Sequence, residues 1–320
     1  MEEGEDEVKQ GAILGTARPG DFLFLKGAMV SISGPGKKRF TRLMAFFPLT
    51  ITVFVSLFGV SFAEIPKRII SLAPNVTEIL FALGAEDRVI AVSSFCDYPE
   101  GTKLKPTVGG MSNPSLEAVV SLNPDIVLFS IDGNPKAFEE RLRSMNVRTF
   151  TLRSRRITEL PAGIRQVGTA VGVPDKAEAL ARETEKKISA LEERERTIRK
   201  PQSAAQRQKV LFIIWPEPLI VAGPGSIADD ALQMIGVLNI SGNTVSSYPK
   251  YSIEEIIRQA PDTIFIGKGT GMDKVADGLL KRLKSVPAVR NRRVFYVSDY
   301  LYRLGPRTMQ GVEELERLLR

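Results

Sequence analysis

The chain has no histidine, one cysteine and one tryptophan in 320 residues. Without histidine it lacks the side chain most often used as a general base near neutral pH and most often used to ligate transition metals. Ser-His-Asp and Cys-His nucleophilic catalysis are excluded, and a zinc site would have to be built from carboxylates and a single thiol. A lone Cys96 forms no disulfide within the chain. Long runs of one charge are missing as well. The net charge is +7 and the pI about 9.4, yet beyond residue 45 there is no Lys/Arg tract and no aromatic-interleaved basic stripe. The positive balance therefore reads as a solubility property, and no nucleic-acid partner is expected. What remains is 43% apolar and 25% charged, an ordinary globular composition with length enough for two modest domains.

One long apolar run does occur, near the front. KKRFTR (37–42) carries four positive charges and precedes the uncharged stretch LMAFFPLTITVFVSLFGV, Leu43 to Val60. Ser61 and Ala63 then stand at the minus-three and minus-one places of a small-x-small site. These features read as a secretory signal cleaved between Ala63 and Glu64. The alternative is an uncleaved anchor, for which a run of about 18 residues interrupted by Pro48 is the minimum. No cysteine lies near the site, so lipid attachment there is not available and a protein free in the periplasm is expected. Residues 1–28 are out of place before an export signal, which makes Met29 and Met44 alternative starts. Removing 1–63 takes away seven of the 44 basic and six of the 37 acidic residues, and leaves a mature chain of 257 residues.

That chain alternates strand-like and helix-like segments. RIISLAP (68–74) reads as a buried strand. Asn75 is expected to cap the next helix, with Glu78 as its capping-box partner and Gly84 at its end. RVIAVSS (88–94), Asp125–Ser130 and VRTFTL (147–152) are the following strands. Between them come a short helix capped by Ser115 and another over about 135–145. The second half repeats this rhythm: KVLFII (209–214), a loop WPEPLIVAGPGS, a helix capped by Ser226, a helix near 273–284, RRVFYVS (292–298) and a last helix over about 307–319. Such alternation predicts parallel sheets covered by helices. Between the halves, Pro174 to Lys200 has no internal Gly or Pro. Leu180, Ile188 and Leu191 form a thin apolar stripe along it. A helix of about 26 residues there spans ~39 Å, long enough to bridge two lobes. The expected fold is α/β: two doubly wound lobes with mostly parallel sheets, joined by one long inter-lobe helix. The expected division is 1–63 extension and signal, 64–172 N-terminal lobe, 173–205 bridging helix and connector, and 206–320 C-terminal lobe.

The halves share one line of sequence. NPSLEAVVSLNPDIVLFS (113–130) overlays KYSIEEIIRQAPDTIFIG (250–267) at an offset of 137 residues. Ser115, Glu117, Pro124 and Asp125 match Ser252, Glu254, Pro261 and Asp262. Glu117 and Glu254 both fall in the first turn of their helices, where a favourable contact with the helix dipole, worth about 0.3–1 kcal/mol, already accounts for them. AGPGSIADD (222–230) opens a helix and can cradle a phosphate through backbone amides, but it misses both the dinucleotide and the P-loop spacing.

In order along the chain, RIISLAPNVTEILFALGAEDRVIAVSSFCDYP, SLEAVVSLNPDIVLFS, the long helix, WPEPLIVAGPGS, SIEEIIRQAPDTIFIG and SDYLYRLGPR resemble the periplasmic substrate-binding proteins of ABC importers. The class is the one with a rigid inter-lobe helix, which carries cobalamin, ferric siderophores or haem. The SLAPNVTE opening and the SSFCDYP loop are most similar to its cobalamin-binding branch. This resemblance implies no catalysis, no cofactor, a small-molecule ligand (cobalamin or a similar large metal chelate), a monomer, and a transmembrane permease dimer as partner. It implies that Glu117 and Glu254, one per lobe, enter arginine pockets on that dimer. It also implies a ligand cleft between the lobes, with Pro74 and Asn75 after the first strand and Tyr98 at a family pocket tyrosine. Met111 lies where the cobalamin binder has an aromatic, and Trp215 ends a strand of the second lobe. Tyr248 and Tyr300 stand at family tryptophan positions, and Asp299 and Arg303 match a family polar pair. Lobe core for Trp215 and loop packing for Tyr98 and Tyr248 are the structural alternatives. Cys96 reads as a small semi-buried residue, with a thiolate on the metal as the alternative. A siderophore would call on Arg303 and Arg307, and haem on a tyrosine as axial ligand. Rival readings are an exported two-lobe enzyme and a membrane-tethered scaffold without a ligand.

Overall fold

The structure, a computed structural model, describes residues 64–198, 207–268 and 272–320. They belong to one compact unit, Ala63–Arg320. The expected secretory signal and most of the 201–208 connector lie outside the described residues. Among the described residues no helix is long and apolar enough to cross a membrane.

Four parallel strands make the N-terminal sheet, in the order β2-β1-β3-β4. They are β1 (Ile69–Ser71), β2 (Val89–Val92), β3 (Ile126–Ser130) and β4 (Thr149–Leu152). β1 and β3 are buried along their whole length, as central strands covered on both faces must be. The covering helices are α1 (Pro74–Ala82), α2 (Leu116–Ser121), α3 (Lys136–Ser144) and α4 (Leu160–Ala170). In the C-terminal sheet β5 (Lys209–Pro216), β8 (Thr263–Gly267) and β9 (Val294–Val297) take the places of β1, β3 and β4. The two-residue β7 (Leu238–Asn239) runs parallel to the start of β5, and β6 (Leu219–Val221) pairs antiparallel with its end. The helices of this half are α6 (Ile227–Met234), α7 (Ile253–Gln259), α8 (Met272–Arg282), α9 (Pro287–Arg290) and α10 (Thr308–Leu319).

The repeated sequence line has an architectural part. Asp125 Oδ2 accepts hydrogen bonds from Lys67 N at 2.7 Å and Arg68 N at 2.8 Å, and Asp262 Oδ2 accepts one from Lys209 N at 2.8 Å. In each lobe the repeated aspartate thus pins the start of the neighbouring strand, β1 or β5. Ser115 and Ser252 cap their helices, accepting from Ala118 N at 3.2 Å and Glu255 N at 3.0 Å.

Two expectations need correction. Asn75 does not cap α1: the helix starts at Pro74, after an Ala73 N-cap that makes no side-chain hydrogen bond. Proline suits that first position, because its φ is preset and the N–H it lacks would have gone unpaired. This places Glu78 inside the helix, buried and turned to the other lobe. Second, helix α4 and strand β6 were not expected. The apolar spacing of Leu160, Ile164, Val167 and Val171 is helical, but Pro161, Gly163 and Gly168 interrupt it. Gly168 is there for contact: a Cβ on it would collide with that of Ala177 on α5 (Pro174–Ile198).

Helix α5 has 25 residues, ~37 Å at 1.5 Å per residue. Ala177, Ala181, Ile188 and Leu191 are buried along it in an apolar cluster that joins α1 and α4 of one lobe to Phe212, Leu304 and α10 of the other. Arg165 on α4 pairs with Glu178 and Glu185, each at 2.6 Å, and Arg194 reaches Glu316 on α10 at 3.9 Å. The helix is therefore fastened to both lobes, and the fold is the expected one, two α/β lobes joined by a long helix.

Candidate functional site

A cavity of about 870 Å³ opens between the lobes, at the carboxyl ends of the strands. From the N-terminal lobe it is lined by Pro74 and Asn75 after β1, Phe95 after β2, Met111, Ser130, Asp132 and Gly133 after β3, and Arg155, Arg156 and Glu159 after β4. From the C-terminal lobe come Gly225 just before α6 and Ile227, Asp229, Asp230 and Gln233 along it, then Ser247 and Tyr248, and Tyr302–Leu304 after β9.

Its walls are held from behind. Asn75 Nδ2 donates to Ser130 Oγ at 3.1 Å. Asn134 Nδ2 donates to Leu72 O at 3.0 Å and Met111 O at 2.8 Å, while its Oδ1 accepts from Ser130 N at 2.8 Å. One side chain thereby ties three N-terminal loops together. Gly133 has φ +98°, and a Cβ there would run into Met111. Phe95 and Tyr248, 57% and 49% exposed, reach the cavity from opposite lobes. Aromatic side chains from both lobes beside an adaptable methionine suit a large flat ligand.

Of the nine residues expected at the ligand, Pro74, Asn75, Met111, Tyr248 and Arg303 line the cavity. Tyr98, Asp299 and Tyr300 gather instead around an ion-pair cluster at its edge: the Arg307 guanidinium lies 3.9 Å from the Tyr98 ring centroid and 5.0 Å from that of Tyr300, and Asp299 pairs with Arg303 and Arg307 at 3.4 and 3.7 Å. Trp215 is 45% exposed, so it is not lobe core, and its Nε1 donates to Glu217 O at 2.6 Å. Cys96 is buried, 3.1 Å from Thr77 Oγ1 and 3.3 Å from Ser93 Oγ, and burial pushes its thiol up. Residues such as Ser130, Asp132, Arg155, Arg156 and Asp230 were not anticipated. The loops after β3 and β4 could have been flagged by the rule that open α/β sheets bind at the carboxyl ends of their strands.

Charge in the cavity is largely self-neutralised. Arg156 pairs across the lobes with Asp230 at 2.8 Å, and Ile157 N donates to the same carboxylate at 2.6 Å. Arg303 reaches Asp97 of the other lobe at 2.8 Å. Arg307 holds Glu78 of the other lobe through two bonds, 2.6 and 3.0 Å, with Glu78 only 2% exposed. Burial opposes the Arg307 charge, but Glu78, Asp299 and Tyr98 outweigh it and its pKa is raised. Arg303 and Arg307 are thus no free cationic pocket for an anionic chelate. At the start of α6, Gly225 N donates to Asp229 Oδ2 at 3.3 Å and Asp229 N to Ser226 Oγ at 3.2 Å. These amides serve the chain's own oxygens, which works against the phosphate cradle. Burial raises the Tyr248 phenol, helped by the charge of Asp132, and raises Tyr302 to about 12, helped by Asp299. Tyr302 donates its hydroxyl to Ile214 O at 3.1 Å.

Outside the cavity, Glu117 and Glu254 occupy the same place, the second residue of α2 and of α7. Both are exposed, and neither carboxylate makes an ion pair or side-chain hydrogen bond among the described residues. The adjacent Glu255 is committed to Arg258 at 2.5 Å and Gln259 at 2.8 Å.

Residues 69–301 match the profile of the periplasmic binding proteins. The vitamin B12-binding protein of Pectobacterium atrosepticum is 28% identical over 253 residues, covering 78% of this chain and 88% of that protein. An uncharacterized ABC transporter substrate-binding lipoprotein of Bacillus subtilis, YvrC, is 31% identical over 278 residues, covering 84% of each. The solved structure of the periplasmic heme-binding protein RhuT from Roseiflexus sp. RS-1 in apo form superposes with a TM-score of 0.70 at 32% identity, covering 79% of this chain and 97% of that one. Cleft, bridging helix and sequence agree, and this chain belongs to the periplasmic binding protein family.

Proposed function

We propose that this protein captures a corrinoid in the inter-lobe cleft and delivers it to an ABC-type permease. The observation that carries the reading is the cavity itself. Phe95 and Tyr248 offer apolar faces from opposite lobes, and every guanidinium of the lining is paired with a carboxylate. Such a site welcomes a wide, flat, uncharged body with amide edges and offers a polyanion only the loosely paired Arg155. The vitamin B12-binding relatives point the same way. Haem is the second reading, favoured by the likeness to RhuT. Against it, the chain has no histidine, and burial with the charge of Asp132 raises the Tyr248 phenol, which opposes its ligating iron as phenolate. Haem propionates would also have to displace existing ion pairs.

Glu117 and Glu254 are the docking tips in this reading. Equivalent positions on two pseudo-symmetric lobes suit a permease built from two like subunits. The protein works as an exported monomer released by cleavage after Ala63. Unlike the Bacillus lipoprotein it has no cysteine at that site to acylate. Isothermal titration with cyanocobalamin and with hemin tests the ligand. Tight binding of the first over the second is expected; the reverse order assigns the cleft to haem.

A further inference from the structure

Of the four carboxylates that line the cavity, three are already engaged. Asp230 is bound by Arg156 and Ile157 N. Asp229 accepts from Gln233 Nε2 at 2.7 Å and Asn239 Nδ2 at 2.8 Å. Glu159 Oε2 accepts from Arg155 N at 2.9 Å and Arg156 N at 3.3 Å. Asp132 differs. Its oxygens accept no hydrogen bond among the described residues and have only a loose ion pair with Arg155 Nε at 3.4 Å. Both side chains are more than half exposed, 56% and 60%, so both can still turn to a ligand. The Asp132 backbone is nonetheless fixed, because Asn134 and Gly133 lock the turn that carries it.

We infer that Asp132 and Arg155 read a primary carboxamide on the ligand's edge, so that the cleft selects an amidated corrinoid over its carboxylic-acid counterpart. This rests on the corrinoid reading above. A carboxamide offers an N–H to the loosely paired carboxylate and a carbonyl to the guanidinium, which meets both groups at once. A carboxylate in the same place satisfies Arg155 but meets Asp132 as a like charge. Asp132 already sits where its ionised form is disfavoured: burial against the cleft wall raises its pKa, and Arg155 offsets this only in part. A second negative charge beside it is correspondingly unwelcome, and an N–H donor is welcome.

The test is titration calorimetry at pH 7 with dicyanocobinamide, whose corrin edge is amidated, and dicyanocobyrinic acid, whose edge carries carboxylates. The wild-type protein should prefer the amide by at least about tenfold. Asp132→Asn still accepts through its carbonyl but carries no charge. It should weaken cobinamide and strengthen the acid, so that the amide-over-acid ratio, which is the readout, falls by about tenfold. Arg155→Gln, the second variant, should move the preference the other way, losing acid affinity more than amide affinity. Melting temperatures establish that both variants are folded. An unchanged preference in Asp132→Asn, with cobinamide still bound, overturns the inference and leaves the corrinoid reading standing. Binding of hemin with neither corrinoid bound removes both.

Discussion

At the scale of single residues, the molecule separates charges that are spent from charges that are available. Glu78 is spent: at 2% exposure, both of its carboxylate oxygens are taken by Arg307 of the other lobe. Arg307→Ala should therefore cost about 3–5 kcal/mol, the usual penalty for stranding one partner of a buried pair, read as a fall in the urea midpoint. Tyr248 is available, with one face to the cavity. Tyr248→Ala should weaken corrinoid binding by about tenfold, for ~1.4 kcal/mol of lost stacking and burial, with the melting temperature of the free protein unchanged. Asn75 was given two parts by the sequence, a cavity position after the first strand and a helix cap; it lines the cavity and does not cap. A Ser/Asn-x-x-Glu pattern is a capping signature, but Pro74 starts the helix one step earlier. The asparagine is left to brace Ser130, and the glutamate to cross the cleft.

Elements reveal a different limit. The long parallel strands and the repeated α-β step were legible because apolar runs of buried parallel strands and Ser-x-x N-caps are local signals. Helix α4 was not, because its glycines read as breakers when seen alone; Gly163 serves the approach of Leu152 and Ser154, and Gly168 the approach of α5. That contact is laced by Arg165, which binds both Glu178 and Glu185. Hydrogen bonds from Arg165 and then Arg182 lower the Glu178 carboxyl from 4.5 to about 2. The sign follows: a depressed folded-state pKa means stability that is present in full above the unfolded value and lost as pH falls toward 2. Wild type should therefore exceed Glu178→Gln in denaturation midpoint at about pH 6, and the gap should shrink at about pH 3. A gap of constant size would assign the stabilisation to packing alone.

For the whole molecule, the arrangement of lobes governs both capture and delivery. Arg156–Asp230, Arg303–Asp97 and Arg307–Glu78 all cross from lobe to lobe, and one apolar cluster continues from lobe to lobe through α5. The cleft is therefore braced rather than freely hinged. Delivery should depend on the free tips outside it. Glu117→Lys with Glu254→Lys should abolish corrinoid uptake by cells while leaving calorimetric affinity within about twofold, since neither residue lines the cavity. Uptake that survives the double reversal would dismiss them as docking residues.

By itself the sequence determined much that depends on neighbours along the chain: most of the strand and helix alternation, the uninterrupted rod after Pro174, the internal repeat, and the chemistry made unavailable by the absence of histidine. It also placed five cavity residues through family resemblance. Only the tertiary structure decided which charges meet, because Glu78 and Arg307 are 229 positions apart and no local pattern records their pairing. The same holds for Asp132, whose open carboxylate stands out only once the cavity's other acids are seen to have found their donors.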